Sequence, residues 1–540
     1  MDEARGIECL WVDPSGHPQC PHGPTLLFSK HEGNKVDQYY ACSACRQRNL
    51  CNFYLKHDEK LSKKEIAKWE KLRKRLASQY PHQKLFVRFN EILGLQPVSR
   101  CYCHTCERFV PISEKEKHAE HEKIENLPDY QMSHPTEILK PLDNTKKEAQ
   151  YLFSKKSTLE ISQMLVKLGA KQVLCIGTPR IYEYFQQYFQ NEIPSLLLDI
   201  DARFHNFFGP MNFCWYNLFN HHFFNQSAAS VFKDFMTANN GKNIYVICDP
   251  PFGGRVEPMS WTLKQISDLH KKWNNISDEN ECLKIMFIFP YYMEPIMRQK
   301  SNPPGVSGGL KDLKMSDYKV DYDNHPLFVT KNKENKQPSP VRIFTNIPLD
   351  LLALPTKDGY KFCNKCKKWV SKENKHCKIC KECTSKDGRR YKHCLLCKRC
   401  VKPTWKHCDK CDRCTLEKHN CGSKIKIIEI LKLELMFNLI SVIITGHTER
   451  ECTLGKENGI TENGVEPKKG KKRKILKKGE PVTKKLKTNA TSDKLDKSKP
   501  KIKKGKAVKV LAKKGKVVIK GKNVTKGKVM IKRKKLKNKE

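Results

Sequence analysis

The fold is decided by one stretch of the 540-residue chain, Ile244-Tyr245-Val246-Ile247-Cys248-Asp249-Pro250-Pro251-Phe252-Gly253-Gly254. Its apolar first half predicts a buried strand, and its second half, rich in proline and glycine, predicts a loop at the end of that strand. Apolar runs and helical patterns alternate around it, which predicts an α/β domain over residues 125–355. The predicted strands lie at 173–176, 196–198, 244–248, 285–289, near 318–322 and at 341–346; the predicted helices lie at 156–168 and 259–273, and a polar loop at 330–340.

The loop at 249–252 is expected to carry the chemistry, because ligands of open α/β sheets bind beyond the carboxyl ends of the strands. An aromatic amine is a weak nucleophile, and it attacks a sulfonium methyl group more readily when two acceptors hold its N–H hydrogens. Asp249 offers a carboxylate, Pro250 offers a carbonyl whose direction is restricted by Pro251, and Phe252 can stack on a base. These four residues are the predicted catalytic set for methylation of the exocyclic amine of an adenine.

A site for S-adenosylmethionine is predicted at the ends of two upstream strands. Gly177 permits close backbone approach to the cofactor, although a full Gly-x-Gly pattern is absent. Asp199 ends the next strand with an acid suited to ribose hydroxyls; Asp201 is the second choice, and a helix-capping aspartate is the alternative. For Asn217, as for Asn212, a role at the edge of the core is the alternative. The predicted cofactor-binding residues are Cys175, Ile176, Gly177, Thr178, Pro179, Arg180, Asp199, Asn217 and Asp249.

The charge of the chain predicts a polyanionic partner. The formal net charge is +45, and residues 466–540 hold 32 Lys and Arg against 5 Asp and Glu. This lysine-rich tail is too charged to bury a core and is expected to be disordered. The apolar stretch at 425–444 is interrupted by charges and is not expected to span a membrane, so nucleic acid is favoured over lipid. No signal peptide is visible, and 25 cysteines in a reducing compartment indicate zinc rather than disulfides.

A cysteine- and histidine-rich segment at 356–424 is the strongest pattern. It contains three copies of His-Cys-x2-Cys-x2-Cys between a first Cys-x2-Cys pair and a final His-x-Cys pair, enough for four tetrahedral zinc ions. Spacing alone does not assign the ligands to individual ions. Interleaved Lys, Arg, Tyr391 and Trp405 also suggest a nucleic-acid face. The predicted ligands are Cys363, Cys366, His376, Cys377, Cys380, Cys383, His393, Cys394, Cys397, Cys400, His407, Cys408, Cys411, Cys414, His419 and Cys421.

Two further zinc sites are predicted upstream, which brings the expected total to about six ions. The module at 1–57 offers Cys20, His22, Cys42 and Cys51, with Cys45 as a rival ligand. A charged linker at 58–100, with a helix expected at 59–80, separates it from a finger at 101–124. The ligands of that finger are Cys103, Cys106, His118 and His121.

The order of these parts resembles the CCHC-zinc-finger-containing N6-adenine methyltransferases of large-subunit ribosomal RNA. The resemblance covers residues 15–421 and is carried by several strings that occur together: CPHGPTLLFSK, YYACSACRQRNLCNFY, VLCIGTPR, DPPFGG, VDYDNHPLF, SPVRIFTNIP and the HCxxCxxC repeats. It implies a Rossmann-like class I methyltransferase domain flanked by zinc modules, the first of them a GRF-type finger. It also implies ribosomal RNA as the substrate, zinc fingers that help to bind it, and a nuclear or nucleolar location, with the cytoplasm as a further possibility.

One departure from the family pattern concerns residues 425–465. Only the second half of the family's C-x2-C-x4-H-x4-C knuckle is present, at His447 and Cys452, so neither residue is counted as a zinc ligand. Our hypothesis is a splice or gene-model variant that lacks a working knuckle. Two alternative functions stay open at this stage: an amine methyltransferase that acts on protein or DNA, and a non-catalytic zinc-finger protein that binds RNA.

Overall fold

The computed structural model describes residues 6–32, 35–45, 48–142, 150–278, 281–326, 338–419 and 421. They belong to the first of two compact units, Met1–Glu457, whereas the second unit, Asn458–Glu540, lies outside the described residues. The predictions for 425–465 and 466–540, and most of the predicted loop at 330–340, also lie outside them. Among the described residues, no helix combines the length and the apolar character that crossing a membrane requires.

The N-terminal module is built from short antiparallel strands. Two of them pair as a hairpin, and the other four form a sheet in the order β1-β4-β5-β6. In chain order the strands are β1 (Gly6–Cys9), β2 (Gln19–Cys20), β3 (Gly23–Pro24), β4 (Leu26–Glu32), β5 (Lys35–Ala41) and β6 (Tyr54–Lys56).

Two helices follow the N-terminal module, α1 (Lys63–Gln79) and α2 (His82–Leu93). The first begins with a capping box, because the Ser62 hydroxyl accepts from the Glu65 amide while the Glu65 carboxylate accepts from the Ser62 amide. Pro81 separates the two helices, since proline cannot continue a helix from within. The helix predicted at 59–80 is therefore present as α1.

The second finger and its connection to the central sheet use short elements. A three-stranded sheet in the order β8-β7-β9 is followed by two helices of four or five residues. The elements are β7 (Cys101–Cys103), β8 (Arg108–Phe109), β9 (Lys123–Glu125), α3 (Asp129–Ser133) and α4 (Pro135–Ile138).

A central eight-stranded sheet forms the core of the described part, with its strands in the order β13-β12-β11-β10-β14-β15-β17-β16. Strands β10, β11, β12, β14 and β15 run parallel, and β17 lies antiparallel between β15 and β16. The elements are α5 (Lys155–Lys167), β10 (Gln172–Ile176), α6 (Pro179–Tyr188), β11 (Ser195–Asp199), β12 (Phe213–Asn217), β13 (His222–Phe223), α7 (Gln226–Thr237), β14 (Ile244–Cys248), α8 (Val256–Trp273), β15 (Lys284–Pro290), α9 (Glu294–Lys300), β16 (Lys314–Lys319) and β17 (Val341–Thr345).

This sheet confirms the predicted α/β class. The predicted helices are present as α5 and α8, and the strand expected near 318–322 lies slightly earlier, as β16. Alternate residues of β10 enter two different apolar clusters, with Val173 and Cys175 on one face of the sheet and Leu174 and Ile176 on the other. Both faces are therefore covered, which explains why the parallel strands are continuous apolar runs rather than alternating ones.

The direction of the chain reverses between β10 and β14. From β10 the chain moves to β11 and β12 on one side, and it later returns to β14 and β15 on the other side. Such a switch point opens a crevice at the carboxyl ends of the two central strands, where doubly wound sheets bind their ligands. The loops after Ile176 and after Cys248 both start there.

Four small hairpins follow the central sheet between residues 360 and 416. Each hairpin turns at a Cys-x2-Cys pair, and the residue after the second cysteine has a positive φ: 49° at Lys367, 56° at Lys381, 51° at Lys398 and 47° at Asp412. The strands are β18 (Tyr360–Cys363), β19 (Lys368–Ser371), β20 (His376–Cys377), β21 (Glu382–Cys383), β22 (Lys392–Cys394), β23 (Arg399–Val401), β24 (Trp405–Cys408) and β25 (Arg413–Leu416).

Candidate active site and zinc clusters

The loops after β10 and β14 touch each other at the switch point. The Asp249 amide donates to the Ile176 carbonyl at 3.0 Å, and the Gly177 amide donates to the Leu198 carbonyl at 2.9 Å. Gly177 has a φ of +64°, and a Cβ atom placed on it would lie 2.8 Å from the Asp249 carbonyl oxygen. Only glycine fits both this conformation and this close approach. The structure thus brings the predicted cofactor loop and the predicted catalytic loop together.

Asp249 is a half-buried acid with one identified side-chain donor. The Tyr322 hydroxyl donates to its Oδ1 atom at 2.9 Å. Burial raises the pKa of the Asp249 carboxyl well above its usual range, while the hydrogen bond from Tyr322 lowers it. Oδ2 of Asp249 therefore stays available as an acceptor. The carboxylate also holds a proton more readily than that of an exposed aspartate.

Aromatic rings surround Phe252. Its ring centroid lies 5.9 Å from that of Tyr322 and 6.2 Å from those of Tyr151 and Phe289. The Tyr151 ring also packs against His325, at 4.4 Å between centroids. Burial lowers the pKa of His325 to about 4, so its imidazole is neutral near pH 7. A planar base that enters here meets an apolar, uncharged wall beside Asp249.

Asp199 and Asp201 lie close together but have different roles. Both oxygens of Asp201 accept from the Arg203 guanidinium, at 2.9 and 2.7 Å. Asp199 accepts from the Asp201 backbone amide at 2.9 Å, and burial together with the charge of Asp201 raises its pKa to about 7. Both carboxylate oxygens of Asp201 are thus paired with an arginine, whereas Asp199 accepts from a backbone amide; its role as an acceptor from ribose hydroxyls stays a prediction.

The other predicted cofactor residues lie around the start of α6. Cys175 and Ile176 end β10 with buried side chains, and burial raises the pKa of the Cys175 thiol to about 12. Thr178 is buried directly before α6, and Pro179 is its first residue. Arg180 donates to the Phe153 carbonyl and to Asp323, both of which lie far from it in the sequence.

Asn217, a predicted cofactor residue for which a role at the edge of the core was the alternative, forms its side-chain hydrogen bonds within the protein. Its side-chain amide donates to the His22 carbonyl at 3.0 Å and to the Ser43 hydroxyl at 2.8 Å, and its oxygen accepts from the Phe219 amide at 3.1 Å. All of its polar atoms are thus engaged within the protein. These contacts join the N-terminal module to β12, so they support the alternative role at the edge of the core and give the cofactor role no support.

Comparisons with known proteins agree with this site. The family described as "Probable N6-adenine methyltransferase" matches residues 144–327, which include both loops. The protein named rRNA N(6)-adenosine-methyltransferase ZCCHC4 of Homo sapiens is 41% identical over 383 residues, 69% of this chain and 73% of that protein. Its Xenopus tropicalis and Mus musculus counterparts are also 41% identical, over 388 and 382 residues, and the matches cover 77% and 73% of their lengths.

The chain belongs to the ZCCHC4 family. As expected of a ZCCHC4 family member, its cysteines and histidines gather in clusters. Six groups of metal-ligand type are present among the described residues, and in each the ligand atoms lie within 4.8 Å of one another. A tetrahedral zinc ion requires four such atoms around one point, so the side chains present fit the metal.

The two N-terminal groups match the predicted ligand sets. Cys20, His22, Cys42 and Cys51 form the first, with the Cys42 sulfur 3.4 Å from His22 Nδ1. The rival Cys45 also lies close, with its sulfur 3.6 Å from His22 Nε2. The second group consists of Cys103, Cys106, His118 and His121, and both histidines turn Nδ1 inward at 3.1 Å from each other.

The four hairpins assign the remaining ligands, which spacing left open. Every His-Cys dipeptide is divided between two clusters: the histidine completes the preceding cluster and the cysteine begins the next. His376 faces Cys366 at 3.1 Å, whereas the adjacent Cys377 faces His393 at 3.6 Å. The four sets are Cys363, Cys366, His376 and Cys383; Cys377, Cys380, His393 and Cys400; Cys394, Cys397, His407 and Cys414; and, from their mutual contacts, Cys408, Cys411, His419 and Cys421.

Sequence reasoning missed the aromatic and polar residues at 151 and 322–325 that complete the site. Tyr322 contacts both Asp249 and Phe252, although it lies 73 residues after Asp249. The VDYDNHPLF string, which carries part of the family resemblance, contains Tyr322 and His325. The charged and aromatic residues of this string were the available signal, because loop residues of these types serve function more often than they serve packing.

Proposed function

We propose that this chain transfers a methyl group from S-adenosylmethionine to N6 of an adenine in ribosomal RNA. The observation that carries the proposal is the contact between the Gly177 loop and the half-buried Asp249 at the switch point of the sheet. The name shared by the relatives, rRNA N(6)-adenosine-methyltransferase, supports both the reaction and the substrate. The proposed reaction is therefore the one that the family name describes.

The residues at the switch point fit S-adenosylmethionine. Gly177 leaves backbone room at the carboxyl end of β10, and Asp199 offers a buried acid at the end of β11 for the ribose hydroxyls. When bound, the cofactor supplies an electrophilic methyl group on a sulfonium sulfur. The chain has to position the amine against that group and keep water away, and the aromatic wall around Phe252 serves both purposes.

Asp249 and Pro250 act on the adenine amine. Asp249 Oδ2 and the Pro250 carbonyl accept the two N6 hydrogens, which turns the nitrogen lone pair toward the methyl group. As the N–C bond forms and the bond between the methyl carbon and the sulfonium sulfur breaks, with its electron pair staying on the sulfur, the amine becomes positively charged and must lose a proton. Because burial raises the pKa of Asp249, its carboxylate is a better acceptor for this proton than an exposed aspartate would be.

An aromatic strip on the N-terminal module is the proposed RNA-binding face beside this site. Phe28 stacks on Tyr39 at 5.6 Å, and Tyr39 packs against Tyr54 at 5.1 Å. Arg48 covers the Tyr54 ring, and Arg255, which follows the catalytic loop directly, lies over Phe28 at 5.7 Å. Tyr54 is exposed, and Phe28 and Tyr39 are half-buried. Aromatic rings flanked by cations bind unpaired bases with little sequence preference. The strip therefore supports the capture of single-stranded RNA next to the target adenine.

Six zinc ions, one for each cluster, complete the proposal. In the C-terminal hairpins the ions would substitute for a hydrophobic core, since strands of two to four residues bury little apolar surface. Metal analysis of the purified full chain is expected to give about six zinc ions per molecule. A count of five or fewer in protein with normal activity would contradict a full set of six.

Methylation of defined polymers tests the function. The purified chain and labelled cofactor are incubated with large-subunit ribosomal RNA, genomic DNA and a protein extract, and the label is expected in RNA as N6-methyladenine. Asp249→Ala is expected to lower the rate by about a hundredfold or more, whereas Asp268→Ala, on α8 and paired with Lys264, leaves it unchanged. Label mainly in DNA or protein, or an active Asp249→Ala variant, would overturn the proposal.

A nuclear and nucleolar location is part of the same proposal, because ribosomal RNA is made and modified there. The net charge of +45 supports residence among nucleic acids. Imaging of the tagged full chain in cells is expected to place it in nucleoli. An exclusively cytoplasmic signal would contradict the location and leave the chemistry untouched.

A further inference from the structure

Tyr322 and Asp323 lie between the two halves of the candidate active site. The Tyr322 hydroxyl donates to Asp249, and its ring meets Phe252 edge-on, with 79° between the ring planes. The next residue, Asp323, accepts from Arg180 at 2.5 Å, and Arg180 stands in the first turn of α6 after the Gly177 loop. Two adjacent residues thus contact the catalytic loop on one side and the cofactor loop on the other.

The backbone around this dipeptide is held in place by a second segment. Phe153 and Tyr322 form an isolated β-bridge, the Ser154 amide donates to the Asp321 carbonyl at 2.8 Å, and the Asp323 amide donates to the Leu152 carbonyl at 3.0 Å. The Leu152 amide donates to the Asn324 side chain at 2.8 Å. With these bonds on both sides, the Tyr322 hydroxyl has a fixed position relative to Asp249. Such fixed donors need no reorganisation during a reaction.

The hydrogen bond from Tyr322 limits what Asp249 can do. It occupies Oδ1 and opposes rotation of the carboxylate, so that Oδ2 is the atom left to accept an N6 hydrogen. It also stabilises the ionised carboxylate at a half-buried position where no arginine or lysine contacts it among the described residues. The neighbouring titratable groups do not supply charge near pH 7: burial raises the pKa of the Cys248 thiol well above its usual range, and His325 is neutral.

We infer that Tyr322 and Asp323 are positioning residues for the methyl transfer, Tyr322 by orienting the Asp249 carboxylate and Asp323 by fixing the cofactor loop through Arg180. The inference rests on the proposed function and deepens it. It assigns to one dipeptide the task of holding the amine acceptor and the cofactor loop at a constant distance. Near-attack geometry depends on such fixed distances, because a displacement of about 1 Å can lower a rate about a hundredfold.

Tyr318 supplies the matched control that distinguishes a positioning role of Tyr322 from a purely structural one. Its hydroxyl donates to Glu160 at 2.8 Å, and it is buried as Tyr322 is, but its partner lies on α5 away from the loops. Tyr322→Phe and Tyr318→Phe each remove one buried phenol hydroxyl and keep the ring. Both variants are expected to lose a similar, small amount of thermal stability.

Single-turnover methylation at saturating RNA and cofactor shows whether the Tyr322 hydroxyl serves the reaction or only the stability of the fold. We expect Tyr322→Phe to slow the transfer about 10-fold to 100-fold with KM for RNA within twofold, and Tyr318→Phe to transfer at the normal rate. Loss of the donor raises the pKa of Asp249 further, so the acidic limb of the rate–pH profile should move to higher pH in Tyr322→Phe. A normal rate and an unshifted profile in Tyr322→Phe would overturn the assignment of Tyr322.

Two measurements test the inference without any transfer. Carbon NMR of the Asp249 carboxyl, assigned by comparison with Asp249→Asn, should show a higher pKa in Tyr322→Phe than in the parent protein. Calorimetry should show about fivefold weaker binding of S-adenosylmethionine to Asp323→Asn, because Arg180 loses its carboxylate partner and keeps only the Phe153 carbonyl. Unchanged values overturn the inference whether or not the parent protein methylates RNA. If both variants show the expected changes but the parent protein does not transfer methyl groups, only the proposed function is contradicted.

Discussion

Replacement of Gly177 by alanine measures how closely the two loops of the active site must approach. Gly177 has a φ of +64°, where an L-residue costs about 1–2 kcal/mol. The new Cβ atom would lie 2.8 Å from the Asp249 carbonyl oxygen, while ordinary contact begins at 3.4 Å. The catalytic loop must therefore retreat by about 0.6 Å, which exceeds the tolerance of about 0.5 Å for a productive site. We expect methyl transfer to slow by 10-fold to 100-fold.

Gly169 provides the matched control for this substitution. It also has a positive φ, +77°, but no atom lies within 4 Å of the position of its Cβ. Gly169→Ala therefore has the conformational penalty without the clash. Both variants should unfold at lower temperature than the parent protein, and only Gly177→Ala should lose activity with labelled cofactor and ribosomal RNA. If Gly177→Ala transfers methyl groups within threefold of Gly169→Ala, the close approach does not matter for catalysis.

Three further predictions concern the cofactor, the RNA and the metal. We expect the ionised form of Asp199, whose carboxyl has a pKa of about 7, to accept from ribose hydroxyls. Cofactor affinity should therefore fall by up to about tenfold per pH unit below pH 7 and level off above it. Asp199→Asn should bind the cofactor more weakly, and a pH slope that survives in this variant would refute the assignment. Tyr39→Ala should weaken the binding of unpaired RNA about tenfold and leave duplex binding unchanged in anisotropy titrations, and equal losses for both would exclude base stacking. Cys377→Ser should release zinc from its own cluster and weaken zinc binding in the preceding cluster, because the adjacent His376 is a ligand there. Cys421→Ser should affect only the last cluster. The same zinc loss for both variants in native mass spectrometry would contradict the division of the His-Cys dipeptides between clusters.

Prediction from sequence worked where the pattern was local. The strand Ile244–Cys248 was predicted with its observed bounds, since five consecutive apolar residues followed by Asp-Pro-Pro leave few alternatives. The helix α1 was also predictable from its charged periodicity and from the proline behind it. By contrast, Phe213–Asn217 was not predicted as a strand, because it lies in an aromatic stretch with neither alternation nor turn residues beside it.

Long-range contacts account for most of what was missed. Asn217 bonds to the His22 carbonyl 195 positions away, and no local feature distinguishes such an asparagine from one that touches a ligand. Tyr322 is separated from Asp249 by 73 positions for the same reason. Burial of Asp249 and the resulting rise of its pKa also depend on elements far apart in the chain, so the sequence offered the residue but not its electrostatics.

The division of the His-Cys dipeptides, in contrast, follows from a rule that needs no long-range information. His376 and Cys377 are consecutive residues of β20, and consecutive side chains of a strand point to opposite faces. The two cannot reach one ion together, so a chain of such dipeptides must link each cluster to the next. Each cluster then shares a short strand with its neighbour, and loss of one metal disturbs the backbone that supplies the next ligand.

The N-terminal module is hydrogen-bonded to the central sheet close to the candidate active site. The first cluster includes His22, whose carbonyl is held by Asn217 and Asn220 at the end of β12. Arg255 follows the catalytic loop and donates to the Ile7 carbonyl of the N-terminal sheet at 2.7 Å. The N-terminal module is thus hydrogen-bonded to the loops after β12 and β14, on the two sides of the switch point of the central sheet. Folding of the module on zinc would therefore position the proposed RNA-binding face relative to Asp249, and the metal would act on catalysis through geometry without touching the reacting atoms.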